Sequence, residues 1–190
     1  MLEHLSEKFV KKLIDAEIIS NMDADVYSYG FFQGIMMLIN IVTILLLGMI
    51  FKHLIPCILL NFAYIPIRIY AGGHHADSSA KCYVNSTIMI AVLLAIIKWV
   101  PIHFALLVLL LIVSSIVIWT LAPVETENNP LDESEKEVFK KRARVILIIE
   151  AIIFFISLIF CENWIAQTIA LGLFTECIML IIGYLKSKSV

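Results

Sequence analysis

Six long apolar segments set the strongest constraint on how this chain can fold. They lie at about residues 30–51, 54–71, 83–101, 102–122, 145–165 and 166–185. A helix needs about 20 predominantly apolar residues to cross the hydrocarbon core of a bilayer. The second segment is the weakest, because Pro66 is expected to kink or end its helix. The pattern predicts an all-α, polytopic membrane protein with six transmembrane helices in a single membrane domain, residues 1–190.

Composition supports this prediction. Hydrophobic residues make up 61% of the chain, whereas ordinary soluble domains reach about 45–50% apolar residues. The mean hydropathy is +0.96. A soluble domain with one large apolar core is therefore not expected.

The first 25 residues precede these segments and predict an amphipathic helix. They are rich in charged residues, and no apolar core of a secretory signal peptide is recognised in them. Their apolar residues recur at roughly helical spacing and are Leu2, Leu5, Phe9, Leu13 and Ile14. We expect this helix either on the cytoplasmic surface of the membrane or against the cytoplasmic face of the protein itself.

The positions of lysine and arginine predict the orientation of the six segments, because cytoplasmic loops of membrane proteins carry an excess of these residues. With the N-terminus inside and the segments alternating, two of the 14 basic residues, Lys52 and Lys98, fall outside, and the other 12 fall inside. We therefore expect a multi-pass protein of the cell membrane with both termini in the cytoplasm. Two polar loops, residues 70–82 and 122–144, then face the cytoplasm.

The loop at residues 70–82, with Arg68 just before it, concentrates chemically active side chains. Between Arg68 and Cys82 lie glycines, histidines, an aspartate and serines, in a chain that is otherwise mostly apolar. Polar groups at a membrane edge are costly unless they are solvated or paired, so this cluster suggests a functional site. A cysteine near a histidine suggests a nucleophile and its base, since an imidazole accepts the thiol proton. A solvated loop without catalytic function is the alternative.

Local signals favour His75 as the partner of Cys82. Asp77, Ser78 and Ser79 are suited to cap a helix, which would place Cys82 within or just beyond the first turn, where the helix dipole favours a thiolate. His75 precedes Cys82 by seven residues, which on a straight helix means the same face but a separation of about 10.5 Å. A contact therefore requires the backbone to bend between them or the pair to close by movement.

Other kinds of site have less support in the sequence. His74, His75, Asp77 and Cys82 offer metal ligands, but adjacent histidines rarely bind one ion without strain, so we expect no metal and no cofactor. The three remaining cysteines lie in or beside apolar segments, where cysteine usually behaves as a small hydrophobic residue. No basic block interleaved with aromatic residues is recognised, so we expect no nucleic-acid partner.

Two motifs resemble the accessory gene regulator B (AgrB) family. The first follows the second apolar segment and reads Arg68-x4-Gly73-x-His75-x6-Cys82. The second, residues 122–130, begins with Ala-Pro and ends with Asn-Asn-Pro. It is similar to the polar loop of that family, except that Asn129 stands where a lysine is common. The likeness covers essentially the whole chain.

This resemblance implies a membrane cysteine endopeptidase of quorum sensing. Members of the family cut a small precursor peptide, of the AgrD type, on the C-terminal side of its future ring and promote closure to a thiolactone or lactone. By carry-over, Cys82 is the nucleophile and His75 the general base, on the cytoplasmic side of the membrane. Arg68 and Gly73 match further motif positions and have supporting roles. Arg68 either binds the acidic tail of the precursor or anchors a helix end.

Further supporting residues are proposed from their positions. They are Asp77 beside the motif, Glu125 and Asn128 in the polar loop, and Glu150 in the fifth segment. Glu150 is a candidate either to orient His75 or to pair with Arg68 or Lys81. Glu176, in the sixth segment, is a deeper acid for which structural pairing is the stronger expectation.

Two other functions are compatible with the same residues. A small peptide exporter would use the interior acids and the prolines of the spans, although no inverted repeat is recognised. A non-catalytic membrane scaffold would tolerate the loss of Cys82 and His75. Gly30-x3-Gly34 permits close helix packing, so a homodimer is an alternative to a monomer. The other expected partners are the lipid bilayer and the precursor peptide.

Overall fold

The chain is an all-α protein. The computed structural model describes residues 2–73, 78–125, 131–160 and 163–188, and in these residues it contains no β-strand. The α-helices in these residues are α1 (Leu2–Asp15), α2 (Ala24–Ile50), α3 (Leu54–Ala71), α4 (Ser79–Trp99), α5 (Phe104–Leu121), α6 (Glu133–Ile159) and α7 (Asn163–Lys188). A 3-10 turn, Asn21–Asp23, leads into α2. The predicted fold class is confirmed at this level.

Five helical segments are long and apolar enough to cross a membrane. They are Asn21–Ile50, Leu54–Ala71, Ser79–Trp99, Phe104–Leu121 and Asn163–Lys188. The helix α6 differs because its first twelve residues are mostly charged and its apolar part, from Val145 to Ile159, is shorter than the usual span of about 20 residues. The described residues therefore support a multi-pass membrane protein with five such helices, and the expected sixth is not established by length and composition.

Helix α6 begins with a capping box that fixes its first turn. The Asp132 carboxylate accepts a hydrogen bond from the Glu135 backbone N–H at 2.7 Å, and the Glu135 side chain accepts one from the Asp132 N–H at 3.1 Å. The Glu135 backbone N–H and the Ser134 hydroxyl hold the pKa of Asp132 below its usual value, because they stabilise the ionised form.

The chain forms two compact units, Met1–Leu46 and Leu47–Val190. Within the first, α1 packs against the start of α2. The rings of Phe9 and Phe31 stack with centroids 4.3 Å apart, and the hydroxyls of Ser6 and Ser28 lie 3.4 Å apart. One face of α1 is therefore held by α2 through both an aromatic and a polar contact.

Helix α7 is the centre of the second unit. It packs against α3, α5 and α6, and most of its residues from Ala166 to Cys177 are buried. Small residues permit this close approach: a Cβ added at Gly172 would lie 3.2 Å from the Cβ of Ala63 in α3. Helix α3 does not end at Pro66 but continues through it to Ala71. Its final turn therefore stays beside α7, where the candidate site is built.

Helix α4 is attached to the rest of the second unit mainly through its second half. Its buried residues are Ile90, Leu93, Leu94 and Ile97. At its end, the Gln167 amide of α7 donates to the Val100 carbonyl at 2.9 Å and to the Ile96 carbonyl at 3.4 Å. The Lys98 ammonium donates to the Phe51 carbonyl at 2.8 Å. The residues of the first half of α4, which begins near the candidate site, are half-buried or exposed.

Candidate active site

The last turn of α3 leads into a glycine turn with a backbone conformation that other residues rarely adopt. Gly72 has φ +78° and Gly73 has φ +107°. A Cβ at Gly72 would collide with the Val124 carbonyl, and one at Gly73 would lie 2.9 Å from the Met179 carbonyl oxygen of α7. Both positions therefore need glycine, for conformation and for space.

The turn is bound to the segment that follows α5. The Val124 N–H donates to the Ala71 carbonyl at 2.8 Å, and the Gly73 N–H donates to the Val124 carbonyl at 3.4 Å. Gly72 and Val124 thus form an isolated parallel bridge. The Ala122–Pro123 peptide bond just before it is cis. Two segments far apart in the sequence, the glycine turn and the start of the polar loop, are joined here.

Arg68 is directed into the bundle instead of toward solution. Its side chain is 14% exposed, and its Nη1 lies 3.7 Å from Oε1 of Glu176, whose side chain is fully buried in α7. The same guanidinium nitrogen donates to the Gly72 carbonyl. Arg68 thus connects α7 to the carbonyl end of α3, where a cation is favourable. This inward contact with Glu176 differs from the two roles expected for Arg68, which were binding of the acidic tail of the precursor and anchoring of a helix end.

Cys82 lies in the first turn of α4. The Ser78 hydroxyl caps this helix by accepting a hydrogen bond from the Lys81 N–H at 3.3 Å, and the Cys82 N–H donates to the Ser78 carbonyl at 2.9 Å. Cys82 is exposed, whereas Cys57 and Cys177 are buried. Among the described cysteines it is therefore the accessible thiol, at a helix end whose dipole favours an anion.

The chain from α3 to Cys82 is not one continuous helix. Helix α3 ends at Ala71, and Ser78 is extended, with φ −144° and ψ 150°, before α4 begins. The straight-helix geometry that would hold positions 75 and 82 about 10.5 Å apart therefore does not apply. His75 itself, with His74, Asp77 and Asn128, lies outside the described residues.

A second carboxyl group lies deep in the same cluster. Glu150 of α6 is 6% exposed, and neither of its oxygens has a hydrogen-bond partner among the described residues. It is close enough to Glu176 for the two side chains to interact electrostatically. The structure thus brings Arg68, Glu176 and Glu150 together from α3, α7 and α6.

Tyr64 is a further polar side chain of α3 near this cluster. It precedes Arg68 by one helical turn and lies within electrostatic range of Arg68, Glu176 and Cys82. Sequence reasoning missed Tyr64, although its i, i+4 spacing from Arg68 would have indicated a shared helix face. It also missed Val124, whose contact with Gly72 has no local signal because the two residues are far apart in the chain.

Basic residues of α6 border the site on its outer side. Arg142 donates to the Tyr70 hydroxyl at 3.3 Å, and Arg144 donates to the Trp119 carbonyl at 3.3 Å while lying over the Trp119 ring. A cleft of about 540 Å³ opens beside Arg142. Its lining residues are Tyr70, Val138, Lys141, Arg142, Val145 and Ile146. It offers a peptide two cations and an apolar floor.

Glu125 connects the polar loop to the start of α6. Its carboxylate lies 2.7 Å from the Lys136 ammonium, which also pairs with Glu133 at 2.9 Å. The residue is more than a third exposed, so this contact is a solvated ion pair of modest energy. The structure therefore separates Glu125, at the surface, from the buried cluster around Arg68. In the described residues, no group of three or more side chains suited to hold a metal ion is found.

Comparison with known proteins gives several relatives and no significantly similar solved structure. Over 171 residues the chain is 29% identical to the AgrB-like protein 2 of Clostridium perfringens strain 13, covering 86% of the chain and 80% of that relative. It is 27% identical over 206 residues to the AgrB-like protein of C. perfringens strain SM101, covering 100% of the chain and 96% of that relative. It is 34% identical over 121 residues to the accessory gene regulator protein B of Staphylococcus aureus strain Newman, covering 64% of the chain and 62% of that relative.

The family model described as Accessory gene regulator B matches residues 6–180. This range contains the glycine turn, Cys82, the polar loop and both buried carboxyl groups. Because the match covers nearly the whole chain, the protein belongs to the accessory gene regulator B family.

Proposed function

We propose that this chain is a membrane cysteine endopeptidase of the accessory gene regulator system. It cleaves the C-terminal part of a quorum-sensing precursor peptide of the AgrD type and promotes cyclisation to a thiolactone or lactone. The place of Cys82 carries the proposal: the thiol is exposed in the first turn of α4, and the glycine turn leads within two residues to His75. The family match and the relatives' names supply the biological system.

In the proposed reaction, Cys82 is the nucleophile and His75 the general base. The Cys82 sulfur attacks the scissile carbonyl carbon, while His75 accepts the thiol proton and then donates it to the leaving amine. The C–N bond breaks, and a thioester joins Cys82 to the N-terminal part of the precursor. A thiol or hydroxyl of that part attacks the thioester, closes the ring and returns Cys82 to its thiol form. Backbone N–H groups in the first turn of α4 are suited to hold the oxyanion.

This chemistry predicts incomplete conversion by the purified protein. Exchange of a thioester for a thioester or an ester is close to balanced, whereas conversion of a stable amide to a thioester is uphill. Cleavage in liposomes should therefore stop at partial conversion while both products remain, and it should resume when the released C-terminal peptide is degraded by an added peptidase. Mass spectrometry of the reaction over time measures both quantities. Full conversion with both products left in place would contradict the proposed thioester route.

The cleft beside α6 is the proposed site for the acidic tail of the precursor. Arg68, the earlier candidate for this role, is mostly buried and held by Glu176. Lys141 and Arg142 line an open cleft with apolar walls, and their charge is complementary to an acidic peptide. The position of Tyr70 in this cleft, two residues before Gly72, connects it to the glycine turn.

The proposed topology has six spans in a single membrane domain, with both termini and Cys82 in the cytoplasm. The apolar part of α6 supplies the fifth span, in addition to the five helices with full-length apolar windows. The excess of basic residues on one side supports this orientation. In the second unit, the glycine turn lies at the same end as Arg68, Lys136 and Arg142. The opposite end carries Lys52 and Lys98.

Cleavage of a co-expressed precursor tests the proposal. Wild-type protein, Cys82→Ser and His75→Ala are each expressed with candidate precursor peptides in a bacterial membrane, and the peptides are identified by mass spectrometry. We expect a truncated or cyclised peptide with wild type and an uncut peptide with both variants. Cys57→Ala is the matched control, because Cys57 is a buried cysteine of α3 and should not affect cleavage beyond its effect on protein amount.

Three outcomes separate the proposed function from its alternatives. Cleavage that survives loss of Cys82 would show that the nucleophile is another residue. A precursor that is exported but never cut would favour the peptide exporter. Signalling that is unaffected by both variants would favour a non-catalytic scaffold.

A further inference from the structure

The Arg68–Glu176 pair is unusual among the ion pairs of the described residues because it is almost removed from water. The Glu176 side chain is fully buried and that of Arg68 is 14% exposed, whereas the Lys136 pairs are exposed by a third or more. The contact of 3.7 Å is an electrostatic one, longer than a hydrogen bond, and neither Glu176 oxygen has a hydrogen-bond partner among the described residues. Removing a carboxylate and a guanidinium from water is costly unless they are well paired. A buried ion pair is therefore weak evidence that the two residues are there for stability. The other contacts of Arg68 indicate what else the pair does.

Arg68 has a second partner at the end of its own helix. Its Nη1 donates to the Gly72 carbonyl, and Gly72 is the residue that caps α3. The last carbonyls of a helix have no partner within the helix, so this hydrogen bond satisfies one of them. The guanidinium thus joins the middle of α7 to the glycine turn.

The neighbouring residue, Gly73, is enclosed by the same two elements. A Cβ there would meet the Arg68 guanidinium and, at 2.9 Å, the Met179 carbonyl oxygen. Met179 lies three residues after Glu176, so one stretch of α7 supplies both the carboxylate that holds Arg68 and the backbone against which Gly73 packs. On its other side, the turn is hydrogen-bonded to Val124.

The turn determines where the chain starts its path to the candidate base. His75 follows Gly73 by two residues, a length of at most about 7 Å of backbone. A shift of the turn therefore shifts the anchor point of His75 relative to Cys82, which begins from a separate helix. Acid–base catalysis is sensitive to such shifts because proton transfer needs heavy-atom distances of about 2.6–3.2 Å.

We propose that Glu176 is a positioning residue: its carboxylate holds the Arg68 guanidinium, which fixes the Gly72–Gly73 turn from which the chain leads to His75. The inference rests on the proposed function and adds to it a residue outside the histidine–cysteine motif. In this proposal Glu176 contacts neither the Cys82 thiol nor the precursor. It acts through Arg68, so its loss should lower the rate of the chemical step and leave binding of the precursor nearly unchanged.

The test compares Glu176→Gln with Thr175→Val. Glu176→Gln removes the charge and keeps the size of the side chain. Thr175→Val removes a neighbouring buried polar group whose hydroxyl donates only within α7, to the Leu171 carbonyl at 2.8 Å. Both variants are placed in lipid nanodiscs. Hydrogen exchange of residues 68–82 and the kcat and KM for precursor cleavage are then measured.

We expect Glu176→Gln to accelerate exchange in residues 68–82 and to lower kcat by about tenfold or more, with KM within about twofold of wild type. Thr175→Val should leave exchange in that segment and kcat close to wild type. If Glu176→Gln does not accumulate in the membrane, Glu176→Asp, which keeps the charge but shortens the reach to Arg68, should show the same pattern with a smaller loss.

Unchanged exchange in Glu176→Gln would overturn the proposal, because the turn would not depend on the ion pair. Faster exchange with an unchanged kcat would also overturn it, since the turn would then not position a catalytic group. An equal loss in Thr175→Val would show a general effect of polar substitution in α7. The exchange measurement needs no substrate, so it still decides whether the ion pair fixes the turn if wild-type protein proves not to cleave the precursor.

Discussion

At the scale of single residues, the site depends on two glycines, Gly72 and Gly73, as much as on its polar side chains. Gly72 and Gly73 both have positive φ, and each presses against backbone from another segment. Arg68 occupies the space that a side chain at position 73 would need. Packing around Arg68 and α7 therefore explains why position 73 is a glycine, whereas the roles proposed for His75 and Cys82 rest on their chemistry.

Gly73→Ala should strongly impair cleavage. A positive φ costs a residue with a side chain about 1–3 kcal/mol, and the added methyl group must displace Arg68 or the Met179 backbone. We expect kcat to fall by about tenfold or more in the nanodisc assay. Gly30→Ala is the control, because a Cβ at Gly30 meets no atom within 4 Å. Normal cleavage by Gly73→Ala would show that the turn has another conformation in the active protein.

At the scale of secondary-structure elements, helix ends are where the site is assembled. Ser78 caps α4 just before Cys82, the Asp132 capping box starts α6, and Gln167 fixes the far end of α4. These contacts satisfy backbone groups that have no partner within a helix. In a membrane protein such groups are especially costly to leave unpaired, so the caps determine where each helix can begin and end.

The start of α6 should depend on pH through Asp132. The Glu135 backbone N–H holds the folded-state pKa of Asp132 below its unfolded value of about 3.9. Its stabilising effect is therefore complete above that value and is lost as the pH falls through the lower folded-state pKa. Hydrogen exchange at residues 133–136 should be faster in Asp132→Ala than in wild type at pH 6, and this difference should disappear in strong acid.

The control for this prediction is Glu137→Ala, an exposed acid of the same helix that takes no part in the capping box. Its exchange at residues 133–136 should match wild type at both pH values. A difference between Asp132→Ala and wild type that persists undiminished in strong acid would rule out titration of Asp132 as the cause.

Gln167→Leu should loosen α4 at the end away from Cys82. The amide of Gln167 bonds to two carbonyls of another helix, whereas the Thr168 hydroxyl bonds only within α7, to the Trp164 carbonyl. Loss of one net hydrogen bond costs about 1 kcal/mol, or about 2–4 °C in Tm for a protein of this size. Thermal unfolding in detergent should show this loss for Gln167→Leu and a smaller one for Thr168→Val. Equal losses would argue against a specific role of the interhelical bond.

Much of this element-level picture could be predicted from the sequence. The apolar segments predict helices because a helix needs about 20 apolar residues to cross the bilayer. Capping preferences predict that Ser78 starts a helix and that Cys82 lies in its first turn. Pro66 shows the limit of local rules, since α3 continues through it to Ala71. The bridge between Gly72 and Val124 could not be predicted, because it joins segments that are distant in sequence. The sequence prediction named Glu150 of α6 as a candidate partner of Arg68, whereas the ion pair in the structure is with Glu176 of α7.

At the scale of the whole second unit, the charged side chains form two groups, one buried and one at the surface. The buried charged groups converge around Arg68, while the cations of α6 face outward beside the cleft at Tyr70. This arrangement gives the two sets of cations different tasks in the proposed function. Arg68, which is buried, maintains the conformation of the glycine turn. Lys141 and Arg142, at the cleft, attract an acidic segment of the precursor.

Lys141→Glu should weaken binding of the precursor without changing the chemical step. Lys141 lines the cleft, whereas its neighbour Lys140 is exposed and does not line it. Reversal of a charge that contacts an acidic peptide should raise KM by about tenfold, with kcat nearly unchanged. Lys140→Glu makes the same change in net charge and should have a much smaller effect. Equal effects of the two variants would point to general electrostatic attraction instead of a bound tail.

The uneven attachment of α4 has a mechanical consequence. All its buried residues lie in its second half, and Gln167 and Lys98 hold its end, so this region can act as a fulcrum for the exposed half. From Ile96 to Cys82 the helix measures about 21 Å, and a tilt of about 10° would displace the thiol by about 4 Å. Cys82 lies at the end of α4 that is farthest from these attachment points. A slight change in the angle of one rigid helix would therefore move the Cys82 thiol by several ångströms relative to the rest of the second unit.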